Sequence, residues 1–355
     1  MRYIGNKQNL VDTIYSILGA HGVEGTSFCD LFSGTTSVAR FFKQKGYRII
    51  SNDILYMSYC LQRAYIENNS SPTFESLLPH IATNNSGKMA GDNLDRVIDY
   101  LNSIPSAEGF IYSNYTPAGT YLNPVPRMYF TAENGKRIDA IRAMIESWLL
   151  NGWLTQAEYY ILIACLIESV SLYANISGVY AAFQKQWDPR AVKRLLLRPI
   201  DIIDNGLANE SYCQDGVTLT DNIDVDILYL DPPYNERQYA PNYHLLETIA
   251  RYDDPPIRGI SGMRDYSSQK SRFCNRKTAL IDLEKIVSTA RYRHFVLSYN
   301  SEGIMPRDKI LEILEKYGRS RVVEFTYNRF KSNSRGTSAT IKTVKEQLYI
   351  LNYGE

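Results

Sequence analysis

The chain has 355 residues, a formal net charge of +1, 44% hydrophobic and 22% charged residues. That profile belongs to a folded globular protein of one or two domains and excludes disorder over most of the length. With acid and base so nearly balanced, a polyanionic partner would have to be held by a local basic surface.

Five cysteines are scattered without a C-x-x-C pair, which argues against a zinc site or a disulfide framework. The N-terminus "MRYIGNKQNLVDTIYSIL" lacks the apolar core of a signal peptide, and no run of about 18 apolar residues suggests a membrane span. A cytoplasmic protein with reduced thiols is expected. The 28 tyrosines supply flat rings with polar tips, suited to stacking as well as to half-buried strands.

Along the chain, "SFCDLF" (27–32) reads as a buried strand, "SGTTS" as a small polar turn and "VARFFKQKG" as a helix closed by Gly46. "YRIISND" (47–53) is a second strand and "ILYMSYCLQRAYIENN" a second helix. This alternation predicts a parallel sheet with right-handed crossovers, whose ligands bind at the strands' carboxyl ends. Residues 70–205 differ: turn-forming stretches precede two helical patterns, 133–152 and 155–175, the latter opened by a Thr155/Glu158 capping box. Strand–helix alternation resumes after about residue 210, and "RVVEFTY" and "EQLYILNY" close the chain as an antiparallel hairpin with a basic tip. The expected division is 1–69 plus 206–355 for the sheet domain and 70–205 for an insertion.

The turn "DLFSGTT" carries one glycine, Gly34, where pyrophosphate binders need three. That disfavours NAD or FAD and leaves room for an adenosine cofactor without phosphates; an ordinary strand–helix turn is the equal alternative. Asp53 ends the second strand near the roughly 20-residue spacing at which an acid accepts ribose hydroxyls, although it could also cap the next helix. Lys7, in "RYIGNK", could pair with a carboxylate, although a solvated lysine is the plainer expectation from these residues. The most informative stretch is "YLDPPYN" (229–235). Pro232 and Pro233 stop a central strand and stiffen a shelf, Asp231 is an acceptor, and Tyr234 offers a stacking face. Such a shelf suits a planar substrate with an exocyclic amine.

Asp-Pro-Pro-Tyr after a strand resembles the catalytic motif of amino-group DNA methyltransferases. The order "YIGNK", "DLFSGTT", "SND", insertion, "QDG", "DPPY" is similar to the D12, or alpha, class of adenine-N6 methyltransferases, distantly Dam-like and closest to the FokI-type restriction–modification branch. The resemblance implies an α/β fold: a Rossmann-like S-adenosylmethionine-dependent methyltransferase sheet, a mainly helical target-recognition insertion and a C-terminal antiparallel hairpin. It implies S-adenosylmethionine as cofactor with no metal, double-stranded DNA as partner, and a separate cognate endonuclease or second methyltransferase as companion. By the same resemblance Asp231, Pro232, Pro233 and Tyr234 hold a flipped adenine. Tyr3, Lys7, Asp30, Phe32, Gly34, Asp53 and Ile54 hold the cofactor, and Asp215 lies by cofactor or base. Thr35 departs from the pattern, since many relatives have a second glycine there.

Two basic segments are candidates for phosphate contacts: Arg190, Lys193, Arg194 and Arg198, and then Arg329, Lys331 and Arg335. A solvated helix face is the plain alternative for the first. Base reading is expected from 113–130 and 175–187 within the insertion. The rival functions are a methyltransferase-like nucleic-acid-binding module and methylation of an RNA base. Protein glutamine methylation is disfavoured because those enzymes usually show Asn where Asp231 stands.

Overall fold

The computed structural model describes residues 3–81, 92–328 and 343–353. The chain divides into two compact units: Gly5–Gln62, Asn205–Ala240 and Ser267–Glu355 form one, while Met1–Ile4, Arg63–Asp204 and Pro241–Tyr266 form the other. The second unit therefore takes in a stretch after the DPPY motif that the sequence division assigned to the sheet. Labels below run in chain order.

The first unit is built on seven strands: β1 (Ser27–Asp30), β2 (Arg48–Asn52), β3 (Glu210–Tyr212), β4 (Asp224–Leu230), β5 (Arg291–Asn300), β6 (Gly318–Asn328) and β7 (Thr343–Tyr353). Their order is β3-β2-β1-β4-β5-β7-β6. Every pairing from β3 to β5 is parallel, while β7 runs antiparallel between β5 and β6. The order reverses between β1 and β4, the switch point where sheets of this kind leave a crevice.

Side chains alternate across the sheet as strand geometry requires. On one face Phe28 stacks on Phe42 of α2 (Ser37–Gln44), with ring centroids 3.8 Å apart, and lies 5.7 Å from Tyr229. On the other, Cys29, Leu228, Leu230, Phe295, Leu297 and Leu351 join a core with Leu283 and Ile286 of α10 (Ala279–Thr289) and Ile310 of α11 (Arg307–Leu314). With both faces covered, the middle of β4 (Ile227–Leu230) and the Phe295–Leu297 stretch of β5 are buried and apolar, as in parallel sheets generally. Helix α1 (Val11–Ala20) precedes β1, α3 (Tyr56–Gln62) follows β2, and the short α8 (Gly216–Leu219) follows β3.

The second unit is mainly helical: α4 (Asn93–Ser103), α5 (Phe110–Tyr115), α6 (Ala132–Leu150), α7 (Gln156–Tyr173) and most of α9 (Ala240–Arg251). Helix α7 opens with the capping box expected from the sequence, Thr155 and Glu158 each bonding the other's backbone amide. Segment 185–199 is not helical. Buried Asn134 and Arg137 of α6 hold it instead: Asn134 donates to the carbonyls of Ala191 and Lys193, and Arg137 to that of Leu195. Ala191, Leu195 and Leu197 are buried by this anchoring, while Arg190, Lys193, Arg194 and Arg198 are exposed.

Candidate active site at the carboxyl ends of the central strands

Three adjacent strands end in aspartates. Asp30 is the last residue of β1, Asp53 follows β2, and Asp231 follows β4. Neighbouring strands lie about 4.8 Å apart, so three carboxylates are gathered over one narrow stretch of sheet edge.

Asp30 is 2% exposed. Its Oδ2 accepts from the Ala39 amide at 3.2 Å, whereas buried Oδ1 has no hydrogen-bond partner among the described residues. Burial, followed by the negative charge of Asp231, pushes the Asp30 carboxyl well above the ordinary range. An unpartnered buried acceptor beside two further acids suits a cationic donor. Asp53 has a structural duty as well: Oδ2 accepts from the Gly34 amide at 2.8 Å and Oδ1 from the Leu55 amide at 2.9 Å. It thereby fixes the first turn against the start of the next. Gly34 takes φ +50° there, and Thr36, fully buried at the N-cap of α2, takes φ +63°. A β-branched residue in that region is strained, and such strain concentrates at functional turns.

Asn52, which the sequence reading passed over, ties this corner together. Its amide donates to the carbonyls of Leu31 and Gln214, both at 3.1 Å, and its carbonyl accepts from the Gln214 amide. Asp215 caps α8 by accepting from the Val217 amide at 2.8 Å. A Cβ at Gly216 would lie 3.1 Å from Leu31 and 3.3 Å from Phe32, which explains the close approach of the "QDG" turn to the first motif. Phe32 packs edge-on against Phe273. The Ile54 carbonyl accepts from Gln269.

The DPPY shelf is anchored behind: the Tyr234 carbonyl accepts from the Ile304 amide at 2.9 Å, and its ring packs against the α10-side core. The tail that follows is pinned to a neighbouring segment, since Gln238 exchanges two bonds with the Ser271 backbone and Cys274 donates to the Arg237 carbonyl.

Lys7 reaches this shelf. Its ammonium is 3.3 Å from Asp231 Oδ1 and 2.5 Å from Glu346 Oε1, and Lys7 is only 7% exposed. Burial pushes Asp231 up to about 7, with Lys7 opposing the rise and Glu346 adding to it. Glu346 was not singled out from the sequence. The available signal was its phase: in "EQLYILNY" it alternates with buried Leu348 and Ile350. Tyr3, by contrast, belongs to the helical unit, where its ring stacks on Tyr243 at 4.2 Å. In that unit Arg190 is paired with Asp188 at 2.6 Å, and Arg194 donates to the Asn102 carbonyl. Buried Asn175 links the two stretches expected to read bases, donating to the carbonyls of Met128 and Gln184. Arg329, Lys331 and Arg335 lie outside the described residues.

A sheet reversal lined by acids, a first turn with one glycine and a proline shelf carrying a carboxylate fit the resemblance to amino-group methyltransferases. Comparison with known proteins makes this specific. The family described as D12 class N6 adenine-specific DNA methyltransferase matches residues 3–313. The chain is 41% identical to the type II methyltransferase M.FokI of Planomicrobium okeanokoites over 342 residues, 94% of this chain and 50% of that protein. It is 38% identical to type II methyltransferase M.NlaIII of Neisseria lactamica, across 99% of both. It is 30% identical to type II methyltransferase M.CviAII of Paramecium bursaria Chlorella virus 1, over 98% of this chain and 97% of the other. The chain thus spans half of the first relative and nearly the whole of the other two. It belongs to the D12 class of N6 adenine-specific DNA methyltransferases. The methyl donor of such an enzyme is S-adenosylmethionine, and the unpartnered Asp30 oxygen in an acidic corner fits that cation. Among the described residues no helix is long and apolar enough to cross a membrane.

Proposed function

We propose that the protein transfers a methyl group to N6 of an adenine flipped out of duplex DNA at a specific sequence, as the modification enzyme of a restriction–modification system. The observation that carries this reading is the Asp231 carboxylate, held by buried Lys7 at the mouth of the β1/β4 crevice on a shelf made rigid by two prolines. Within a duplex the adenine amine cannot reach that shelf, so the base must leave the stack.

In this reading S-adenosylmethionine, when bound, supplies an electrophilic methyl on a sulfonium centre. Asp30, Phe32, Gly34, Asp53 and Ile54 would hold it, with Lys7 and Asp215 alongside, and Tyr3 is assigned to the cofactor on sequence grounds. Asp231 and the Pro232 carbonyl accept the two amine hydrogens, which draws the lone pair out of ring conjugation. Tyr234 stacks on the base. As positive charge develops on N6, the ionised Asp231 stabilises it by preorganised electrostatics. The proton of the methylated amine is then acidic enough to pass to water without a strong base.

The helical unit is assigned to target recognition, with Lys193 and Arg194 on the anchored ledge and Arg190 beside them as phosphate contacts. Arg329, Lys331 and Arg335 are assigned the same role on sequence grounds. The setting is cytoplasmic, and a separate endonuclease or second methyltransferase of matching specificity completes the system. Incubating DNA with the protein and S-adenosylmethionine, then mapping modified bases, tests the reading. Methylation confined to RNA, or DNA binding without transfer, would each replace it with a rival.

A further inference from the structure

Glu346 lies beyond residue 313, where the family match ends, on the antiparallel strand β7. It is 1% exposed, opposite Asn300 of β5 and Phe325 of β6. A carboxylate there has lost its water and must be compensated by its neighbours. Among the described residues Ser298 Oγ donates to Oε1 at 2.6 Å, and Lys7 Nζ bonds the same oxygen at 2.5 Å. Lys7 sits at the other end of the chain and faces Asp231 with the same ammonium, 3.3 Å away. One buried cation is therefore shared by two acids, and the shorter contact goes to the acid outside the DPPY motif. A lysine has four rotatable side-chain bonds and holds one position only when its head is fixed. Buried ion pairs are weak evidence for stability, which directs attention to what the pair positions.

We infer that Glu346 is a positioning residue for methyl transfer: it clamps Lys7 so that the ammonium sits to one side of Asp231, leaving the carboxylate ionisable but not consumed by a tight ion pair. The inference rests on the function proposed above. The charged and titratable groups facing Asp231 are Lys7 from the N-terminal segment, Glu346 from β7, Asp30 from β1 and Tyr229 from β4. Lys7 lowers the Asp231 carboxyl and Glu346 raises it, consistent with the geometry. Removing the Glu346 charge leaves Lys7 to Asp231 alone, so Asp231 should ionise at lower pH.

The test compares wild type, Glu346→Gln and Glu346→Ala in kcat and KM across pH. Gln keeps acceptors for Lys7 and Ser298 without the charge. Its kcat is expected within about threefold of wild type at the optimum, with the acid limb displaced to lower pH. Ala frees Lys7, and kcat should fall at least about tenfold while KM for S-adenosylmethionine stays within about twofold. Should Glu346→Ala lose the fold by circular dichroism, the isosteric Gln variant decides alone. Calorimetry of S-adenosylmethionine binding in two buffers reads the same group without turnover: Glu346→Gln should release fewer protons near pH 7 than wild type. A wild type that binds the cofactor but methylates no DNA would remove the proposed function and leave this comparison standing. Coincident pH limbs and equal proton release in wild type and Glu346→Gln would overturn the inference.

Discussion

Lys7 and Asp231, from opposite regions of the sequence, meet 3.3 Å apart at the end of β4. Among the described residues Lys7 donates to the Asp231 carboxyl, and it is itself held by Glu346. The shelf residue, partly buried with its side chain 21% exposed, is therefore shielded enough to resist ionisation and paired enough to achieve it. Most of the expected behaviour follows from that balance.

Asp231→Ala should reduce methyl transfer by at least about a hundredfold, the scale on which one preorganised electrostatic group acts. Binding of S-adenosylmethionine, followed by calorimetry, should persist, because Asp30 and the Asp53–Gly34 turn remain in place. Loss of cofactor binding in parallel with activity would make Asp231 a cofactor residue.

The pH dependence has a definite sign. An unfolded aspartate ionises near 3.9, whereas burial holds native Asp231 up to about 7. Between those values the native state carries the additional proton, so this group's contribution to stability is largest at the acid end and is lost as pH rises through the window. Asp30, also raised by burial, acts in the same direction. Activity runs the opposite way, because the ionised carboxylate is required. The acid limb of kcat/KM should fall near pH 7, and that of kcat lower, since the bound cation favours ionisation. Chemical denaturation and initial rates on one pH series would check both, and Asp231→Asn should flatten the stability change.

Lys7→Met leaves the Glu346 carboxylate, 1% exposed, without its cation and should cost about 3 kcal/mol of unfolding free energy. Adding Glu346→Gln should recover much of that loss, because the buried Glu346 charge is then no longer stranded and Asp231, already raised by burial, takes up a proton. Urea titration of the two single variants and the double variant gives the coupling directly. Additive losses would mean that the pair is not an energetic unit.

On the recognition side, Lys193→Ala and Arg194→Ala should each flatten the log–log salt dependence of DNA binding by about 0.9, the value for one lost phosphate contact. Arg190→Ala should change it less, because that guanidinium already holds Asp188 at 2.6 Å. Fluorescence anisotropy over a salt series separates the three.

Elements whose cause is local were legible in the sequence. The β1–turn–α2 unit, the capping box at Thr155 and the proline stop after β4 each follow from a few adjacent residues. The 185–199 ledge was not, because Asn134 and Arg137 hold it from 57 and 58 positions earlier in the chain, and no local signal marks such a clamp. The assignment of Pro241–Tyr266 to the helical unit escaped for a related reason: α9 is helical in either setting, and only its packing decides where it belongs. At the site, the acids at the strand ends could be named in advance. Glu346 could not, since its partner Lys7 is 339 positions away and its only local mark is charge in phase with Leu348 and Ile350.

The central claim is transfer to adenine N6 on the Asp231 shelf. The measurement that meets it most directly is base-resolved sequencing of DNA treated with the protein and S-adenosylmethionine, beside the same DNA treated with Asp231→Ala. N6-methyladenine at one recurrent sequence in the first sample, and none in the second, is the predicted result. Unmodified adenine despite demonstrated cofactor binding, or methylation of cytosine alone, would contradict it.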